Sequence, residues 1–260
     1  MKLISQSESL DLNKNLNLNF MKDKIFYNLN IKKKYVCLFL RPYQLNKKFE
    51  YETDVRSSYD MKNYLKLCNS YLKKKGYQII LIGSYNKFFD NKIFSNIINY
   101  RNSKFQNPIN DFILTNYCEF AICNSGGYAV LPSILNKPNL MINSSCFYDN
   151  YFFNKTIYYP KHFLKNKKKI NILDIMKNPI FFEATEESFR EQSILTKDIS
   201  YSELQNAVEN FIWVIKKKGY NYSHPMQNII KKNLTPLHLL FNLSYKRLSK
   251  NYLSNHNIIK

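Results

Sequence analysis

A chain of 260 residues that is 45% hydrophobic can bury the core of one large domain or two small ones. No apolar run reaches the roughly 18 residues that cross a bilayer. The start, Met1-Lys2 followed by Ser, Glu, Asp and Asn, lacks the apolar stretch of a signal peptide, so the chain reads as cytoplasmic, with peripheral contact at the inner face of a membrane as an extension of that reading.

The formal charge of +20 invites a nucleic-acid reading. Composition argues against it. Lys, Asn, Ile, Tyr and Phe abound while Gly (5) and Trp (1) are scarce, the skew of A/T-rich codons rather than of a selected phosphate-binding face. The clusters Lys32–Lys34, Lys73–Lys75, Lys167–Lys169 and Lys216–Lys218 flank expected elements and read as solvated ends. Nucleic acid is therefore ranked last among partners. The five cysteines are odd in number and form no Cys-x-x-Cys pair, and the four histidines lack ligand spacing. Neither a disulfide framework nor a zinc site is indicated, and no metal or other cofactor is expected.

Residues 1–33 show no clear period and read as a tail or the remnant of a leading domain. Tyr35–Leu40 is an unbroken apolar run, as suits a strand covered on both faces. Met61, Leu65, Cys68 and Leu72 then make one stripe of a helix over about 59–75, closed by Gly76. Tyr77–Ile82 is a second apolar strand ending at Gly83, and this strand–helix–strand order favours parallel pairing. The stretch 84–106 carries no legible pattern. Asn107-Pro108 is a helix start, with Ile109, Phe112, Ile113 and Tyr117 on the apolar face. Phe120–Cys123 is the next strand, followed by Asn124-Ser125-Gly126-Gly127, a short helix over 128–135 and a strand at Asn139–Ile142. After an irregular aromatic-rich segment come a helix near 186–192 and a longer one opened by the capping box Ser200-x-x-Glu203 and closed by Gly219. A last helix is expected from Thr235-Pro236 through Phe241. The fold class expected is α/β, Rossmann-like, with a mainly parallel sheet and helices on both faces. The organisation is 1–33 tail or remnant, 34–219 ligand-binding α/β domain and 220–260 helical tail.

Two features point to chemistry. In an open parallel sheet ligands bind outside the carboxyl ends of the strands. Asn124-Ser125-Gly126-Gly127 stands there between strand and helix, where glycines let backbone N–H groups approach a phosphate and Ser125 adds a hydroxyl; the alternative is a tight turn with no ligand. Arg41 follows the first strand on the same edge. A guanidinium there grips a diphosphate and neutralises charge on a departing nucleotide, or else pairs with a nearby carboxylate. Arg56 is a weaker candidate for the same cleft. No Walker or G-x-G-x-x-G pattern occurs, which disfavours an NTPase or a Rossmann dehydrogenase. No Asp-x-Asp occurs either, so transfer would rely on cationic side chains rather than a metal. Glu183, Glu186, Glu187, Asp54 and Asp111 are candidates for hydroxyl binding or base chemistry, with first-turn helix acids as the plainer reading.

The succession Tyr35–Arg41, Val55–Tyr64, Lys75–Gly83, Cys118–Gly127 and Asn136–Asn143 resembles a bacterial glycosyltransferase family of surface-polysaccharide gene clusters. That family shows "R…YRNSxIxNY…GTSSG…KPvlxvN" motifs. Here Phe39, Val55, Ser57 and the Asn124-Ser125-Gly126 run depart from its pattern. The resemblance implies a GT-B donor domain. It points to Arg41, Arg56, Gly83, Ser125, Gly126 and Asn143 as cleft residues, with Asn124 and Gly127 in the same loop and Lys161 as a loop lysine meeting donor phosphate. It implies a nucleotide-sugar donor and a glycan or lipid-linked acceptor. A GT-B enzyme has two such domains and one is recognisable here. The missing acceptor domain would come from a partner chain, and a non-catalytic binding subunit or an inactive relic is the alternative.

Overall fold

A computed structural model describes residues 18–41, 58, 61–82, 96–145, 155–171, 174–175, 178, 180, 186–217 and 247–248. Five apolar or mostly apolar segments form parallel strands: β1 (Tyr35–Phe39), β2 (Gln78–Leu81), β4 (Phe120–Cys123), β5 (Asn139–Ser144) and β6 (Thr156–Pro160). Two-residue strands β3 (Ile97–Ile98) and β10 (Arg247–Leu248) extend the sheet at its two edges. The order is β3-β2-β1-β4-β5-β6-β10, and every neighbouring pair is parallel. This is the strand order of a Rossmann-like, doubly wound α/β domain with one strand added at its edge.

The pleat explains why unbroken apolar runs were needed. Val36 pairs in register with Phe120, so the two share a face, and the Phe120 ring meets Phe211 edge-on at 5.5 Å. The neighbours Tyr35 and Cys37 point the other way, where the Tyr35 hydroxyl donates to the Leu114 carbonyl at 2.7 Å. Helices therefore cover both faces. On the first lie α2 (Met61–Leu67) and α6 (Tyr201–Lys217), which pack together. On the second lie α3 (Pro108–Tyr117), with α1 (Leu18–Asn28) and α4 (Val130–Ile134) packed against it. Cys37, Cys68, Cys118 and Cys123 are buried thiols, and burial pushes Cys37 and Cys123 well above the ordinary thiol range.

A second, antiparallel sheet follows directly on β6. It has the order β8-β7-β9, built from β7 (His162–Lys165), β8 (Lys168–Lys169) and β9 (Ile194–Lys197). Helix α5 (Glu186–Glu191) precedes β9 and packs on it, with Phe189 against Phe163 at 5.7 Å.

Local signals account for most boundaries. The Asn107 side chain accepts from the Asn110 N–H at 2.9 Å, and Pro108 opens α3 as expected. The capping box closes reciprocally: Ser200 N donates to Glu203 Oε2 at 2.8 Å, and Glu203 N donates to Ser200 Oγ at 3.3 Å. Gly76, at φ 84°, ends the helix before β2.

Some elements differ from expectation. The helix expected over 59–75 is α2 continued by a π-type segment, Cys68–Leu72, in which the helix widens by one residue per turn. The helix expected over 128–135 is a 3-10 turn, Gly127–Ala129, followed by the five-residue α4. Residues 18–28, within the stretch read as tail or remnant, form α1, which buries only Leu18 and Ile25, too sparse a stripe to show a period. The segment left as irregular holds β6 and β7. Gly219 and the helix expected at 235–241 lie outside the described residues. Among those described, no helix is long and apolar enough to cross a membrane.

Candidate functional site

Strand order reverses at β1: β2 lies on one side of it and β4 on the other. The helices that follow β1 and β4, α2 and α4, lie on opposite faces of the sheet, and in open α/β sheets such a reversal of strand order is where a ligand crevice is expected. Arg41 follows β1 and Asn124-Ser125-Gly126-Gly127 follows β4, so the two strongest sequence signals meet at this point.

The edge is laced by side-chain amides. Asn124, fully buried, accepts from the Arg41 N–H at 2.8 Å and donates to the Ile142 carbonyl at 2.9 Å, stitching the ends of β1 and β5 across β4. Its amide also reaches the Ser58 hydroxyl at 3.1 Å, and Ser58 N donates to the Arg41 carbonyl at 2.9 Å. Both backbone groups of Arg41 are thus held, and its side chain is half-buried.

Asn143 is the second knot. The β5–β6 register slips between Ile142 and Ser144, and Asn143 sits in this bulge at φ 51°, a left-handed conformation that asparagine tolerates better than most residues. The bulge turns its amide inward. Nδ2 donates to Ser58 Oγ and to the Tyr64 hydroxyl, both at 2.9 Å, and Oδ1 accepts from the Ile199 N–H at 3.0 Å. The Tyr64 hydroxyl donates in turn to the Ile199 carbonyl at 2.7 Å. The ring of bonds ties β5, α2 and the turn before α6 into one body.

Lys161 lies one residue beyond β6, and its N–H donates to the Ser144 carbonyl at 3.1 Å. Its side chain is fully buried and ion-paired with Asp198 at 3.0 Å. Next along the chain, His162 Nε2 lies 2.9 Å from Glu203 Oε1. Burial would raise the Glu203 carboxyl, but hydrogen bonds from His162 and from the Ser200 N–H and hydroxyl, with the charge of His162, bring it down to about 2.

Two hydroxyls behave differently. Ser125 Oγ and Ser145 Oγ are fully buried and have no hydrogen-bond partner among the described residues, as is also the case for the Thr156 and Tyr158 hydroxyls on β6. The two serines follow β4 and β5, adjacent strands of a sheet whose spacing is about 4.8 Å. A buried hydroxyl without a partner carries an uncompensated desolvation cost on the order of 1–3 kcal/mol. Gly126 follows Ser125 at φ 157° and ψ 173°, a region close to glycine-only, with Phe39 Cε1 3.4 Å from where a Cβ would stand. Gly127 is exposed with nothing crowding it.

The structure therefore brings Arg41, Asn124, Ser125, Gly126, Gly127 and Asn143 to one edge. Asn124 and Asn143 spend their amides on the scaffold, and Lys161 spends its charge on Asp198. Arg56, Gly83, Asp54 and Glu183 lie outside the described residues. Asp111 is in the first turn of α3, where burial raises its carboxyl, and Glu186 and Glu187 open α5. Sequence reasoning missed Ser58, Tyr64, Ser145 and Asp198. A polar residue just beyond an apolar strand was the signal available for Ser145, and Ser58 and Tyr64 stand in the Val55–Tyr64 stretch of the resemblance without being singled out there; nothing marked Asp198. Among the described residues no group of three His, Cys, Asp or Glu side chains gathers to hold a metal.

No protein-family model and no curated protein matches the chain. Among solved structures, two of the wall teichoic acid polymerase TagF, each of a different variant, are similar. One is 15% identical with a TM-score of 0.36, covering 85% of this chain and 49% of that one. The other is 13% identical with a TM-score of 0.34, covering 79% and 50%. The chain thus spans about half the length of the structures it matches. At such scores the class, a Rossmann-like α/β protein, rests on strand order and parallel register rather than on the likeness.

Proposed function

We propose that the crevice between β1 and β4 binds the diphosphate of a nucleotide-sugar, and that the chain is the donor-binding half, of GT-B type, of a glycosyltransferase acting on a surface polysaccharide or lipopolysaccharide acceptor. The observation that supports this most is the meeting of Arg41 with the Asn124–Gly127 loop where strand order reverses, beside the unpartnered hydroxyls of Ser125 and Ser145. In this reading the hydroxyls donate to phosphate oxygens and Arg41 neutralises charge on the departing diphosphate, without a metal. The acceptor, a glycan or lipid-linked glycan, is presented by a second domain from a partner chain.

Calorimetric titration of UDP, GDP, CMP and their sugar conjugates tests it. Saturable binding of one nucleotide, about tenfold weaker in Arg41→Ala, is expected. A folded protein that binds none of them overturns the reading.

One observation favours a second reading, a non-catalytic nucleotide-sugar-binding subunit. Asp198, adjacent in the chain to the Ile199 that Asn143 holds, is engaged by Lys161 at 3.0 Å, which leaves it no simple role as a general base. Binding without transfer, with transfer appearing when a neighbouring gene product is co-expressed, would select it.

A further inference from the structure

The antiparallel sheet carries a second concave surface, away from the crevice. Lys165, Lys168, Lys169, Ile170, Asn171, Asp174, Asn178 and Ile194 line a cavity of about 420 Å³. That volume falls in the range of small-ligand sites, roughly 300–1,000 Å³. Its rim carries three lysines against one aspartate, and its floor includes Ile194, which is buried.

The lysines are placed at a cost. Lys165 and Lys168 are directly opposite each other across the β7–β8 pair. Like charges so placed repel, and sheets normally avoid the arrangement. The two-residue turn between them, Asn166-Lys167, holds both residues at positive φ, 52° and 62°. Hairpins of this kind usually take Asn-Gly, because a lysine in the left-handed region is strained. The sequence therefore places four lysines in five positions, 165 and 167–169, on a hairpin that both repulsion and backbone strain disfavour. Among the described residues, none of these four forms an ion pair, and Asp174 on the same rim pairs with none of them. A base-composition surplus of lysine explains their number, but not their facing one another around a cavity.

We infer that this cavity binds a phosphate group, with Lys165, Lys168 and Lys169 as its cationic rim. A phosphate dianion between Lys165 and Lys168 converts their repulsion into two attractions. The apolar floor suits a substituent beside the phosphate. A soluble phosphate ester and a lipid headgroup share this chemistry. The site is independent of the crevice, so it stands or falls apart from the glycosyltransferase reading.

The test uses the full chain and two probes: glycerol 3-phosphate by calorimetry, and phosphatidylcholine vesicles with and without phosphatidylglycerol by co-sedimentation. A triple variant, Lys165→Gln with Lys168→Gln and Lys169→Gln, is compared with a control of equal charge, Lys33→Gln with Lys73→Gln and Lys74→Gln. The control lysines precede β1 and β2, at the amino ends of those strands and outside the cavity lining. The hairpin triple should lose about tenfold in affinity while the control stays near wild type. Loss with the soluble ester assigns a small ligand, and loss with anionic vesicles alone assigns a lipid headgroup. Equal loss in both triples, as general attraction to a chain of charge +20 would give, overturns the site, as does no binding of either probe. A second readout guards against weak probes. Without anion at low salt, Lys168→Gln should melt above wild type through relief of repulsion, and saturating glycerol 3-phosphate should reverse that order. A variant that melts no higher than wild type at low salt contradicts the inference.

Discussion

The carboxyl edge of the main sheet holds two kinds of buried polar residue within a few positions of each other. Asn124 and Asn143 use nearly every donor and acceptor they own, on backbone ends of β1 and β5 and on Ser58, Tyr64 and Ile199. Ser125 and Ser145, one and two positions further along the chain, have no side-chain partner among the described residues. Polar groups of equal burial thus divide into a part that holds the edge together and a part that the fold leaves unsatisfied. Stability explains the first. It does not explain the second, since an alanine would spare the desolvation cost; in the proposed reading the serines are held for a ligand.

Substitutions should separate the two, beginning with the largest effect. Asn143→Leu removes bonds to Ser58, Tyr64 and Ile199 and puts a branched side chain in the left-handed region. It should cost about 3 kcal/mol or more in denaturant unfolding, with Asn143→Asp milder. A cost under about 1 kcal/mol would dissolve the distinction between scaffold and site.

Next comes the buried ion pair. Lys161→Ala removes the buried ion pair with Asp198 and should cost on the order of 3 kcal/mol, whereas Lys161→Met combined with Asp198→Leu should come close to wild type. If the double variant binds nucleotide normally, Lys161 serves the fold alone; if it folds but fails to bind, the lysine reaches the ligand as the resemblance implies.

A smaller effect is expected in acid. The Glu203 carboxyl is lowered in the folded chain from 4.5 to about 2. The stabilisation this brings is full above the unfolded value near 4.5 and is lost as pH falls toward 2. Glu203→Gln should flatten that acid limb in thermal melts between these limits. A limb as steep as wild type would mean that His162 and Ser200 hold nothing through this carboxylate.

The sequence showed the frame more clearly than the filling. Unbroken apolar runs marked β1, β2 and β4, because a central parallel strand is covered on both faces and needs no alternation. Asn107-Pro108 and Ser200-x-x-Glu203 marked helix starts, because capping is chemistry between near neighbours in the chain. β6, Thr-Ile-Tyr-Tyr-Pro, escaped, since a strand carrying two tyrosines and ending in proline resembles a loop; yet all five residues are buried. β3 and β8 are two residues each, too short for any period. At the site, Arg41 and the Asn124–Gly127 loop were legible because each abuts a readable strand. Ser58 and Tyr64 were not, because their roles arise from tertiary bonds to Asn143 across 85 and 79 positions. No local pattern foretells such bonds.

The most direct measurement is paired stability and nucleotide affinity for Ser125→Ala and Ser145→Ala. Unfolding free energy should stay within about 1 kcal/mol of wild type or rise, because a buried hydroxyl with no partner is removed. Affinity for the nucleotide that wild type binds should meanwhile fall about tenfold in each. Alanine variants that are clearly less stable yet bind as tightly as wild type would contradict the account, making the serines part of the scaffold and leaving the crevice without its ligand groups.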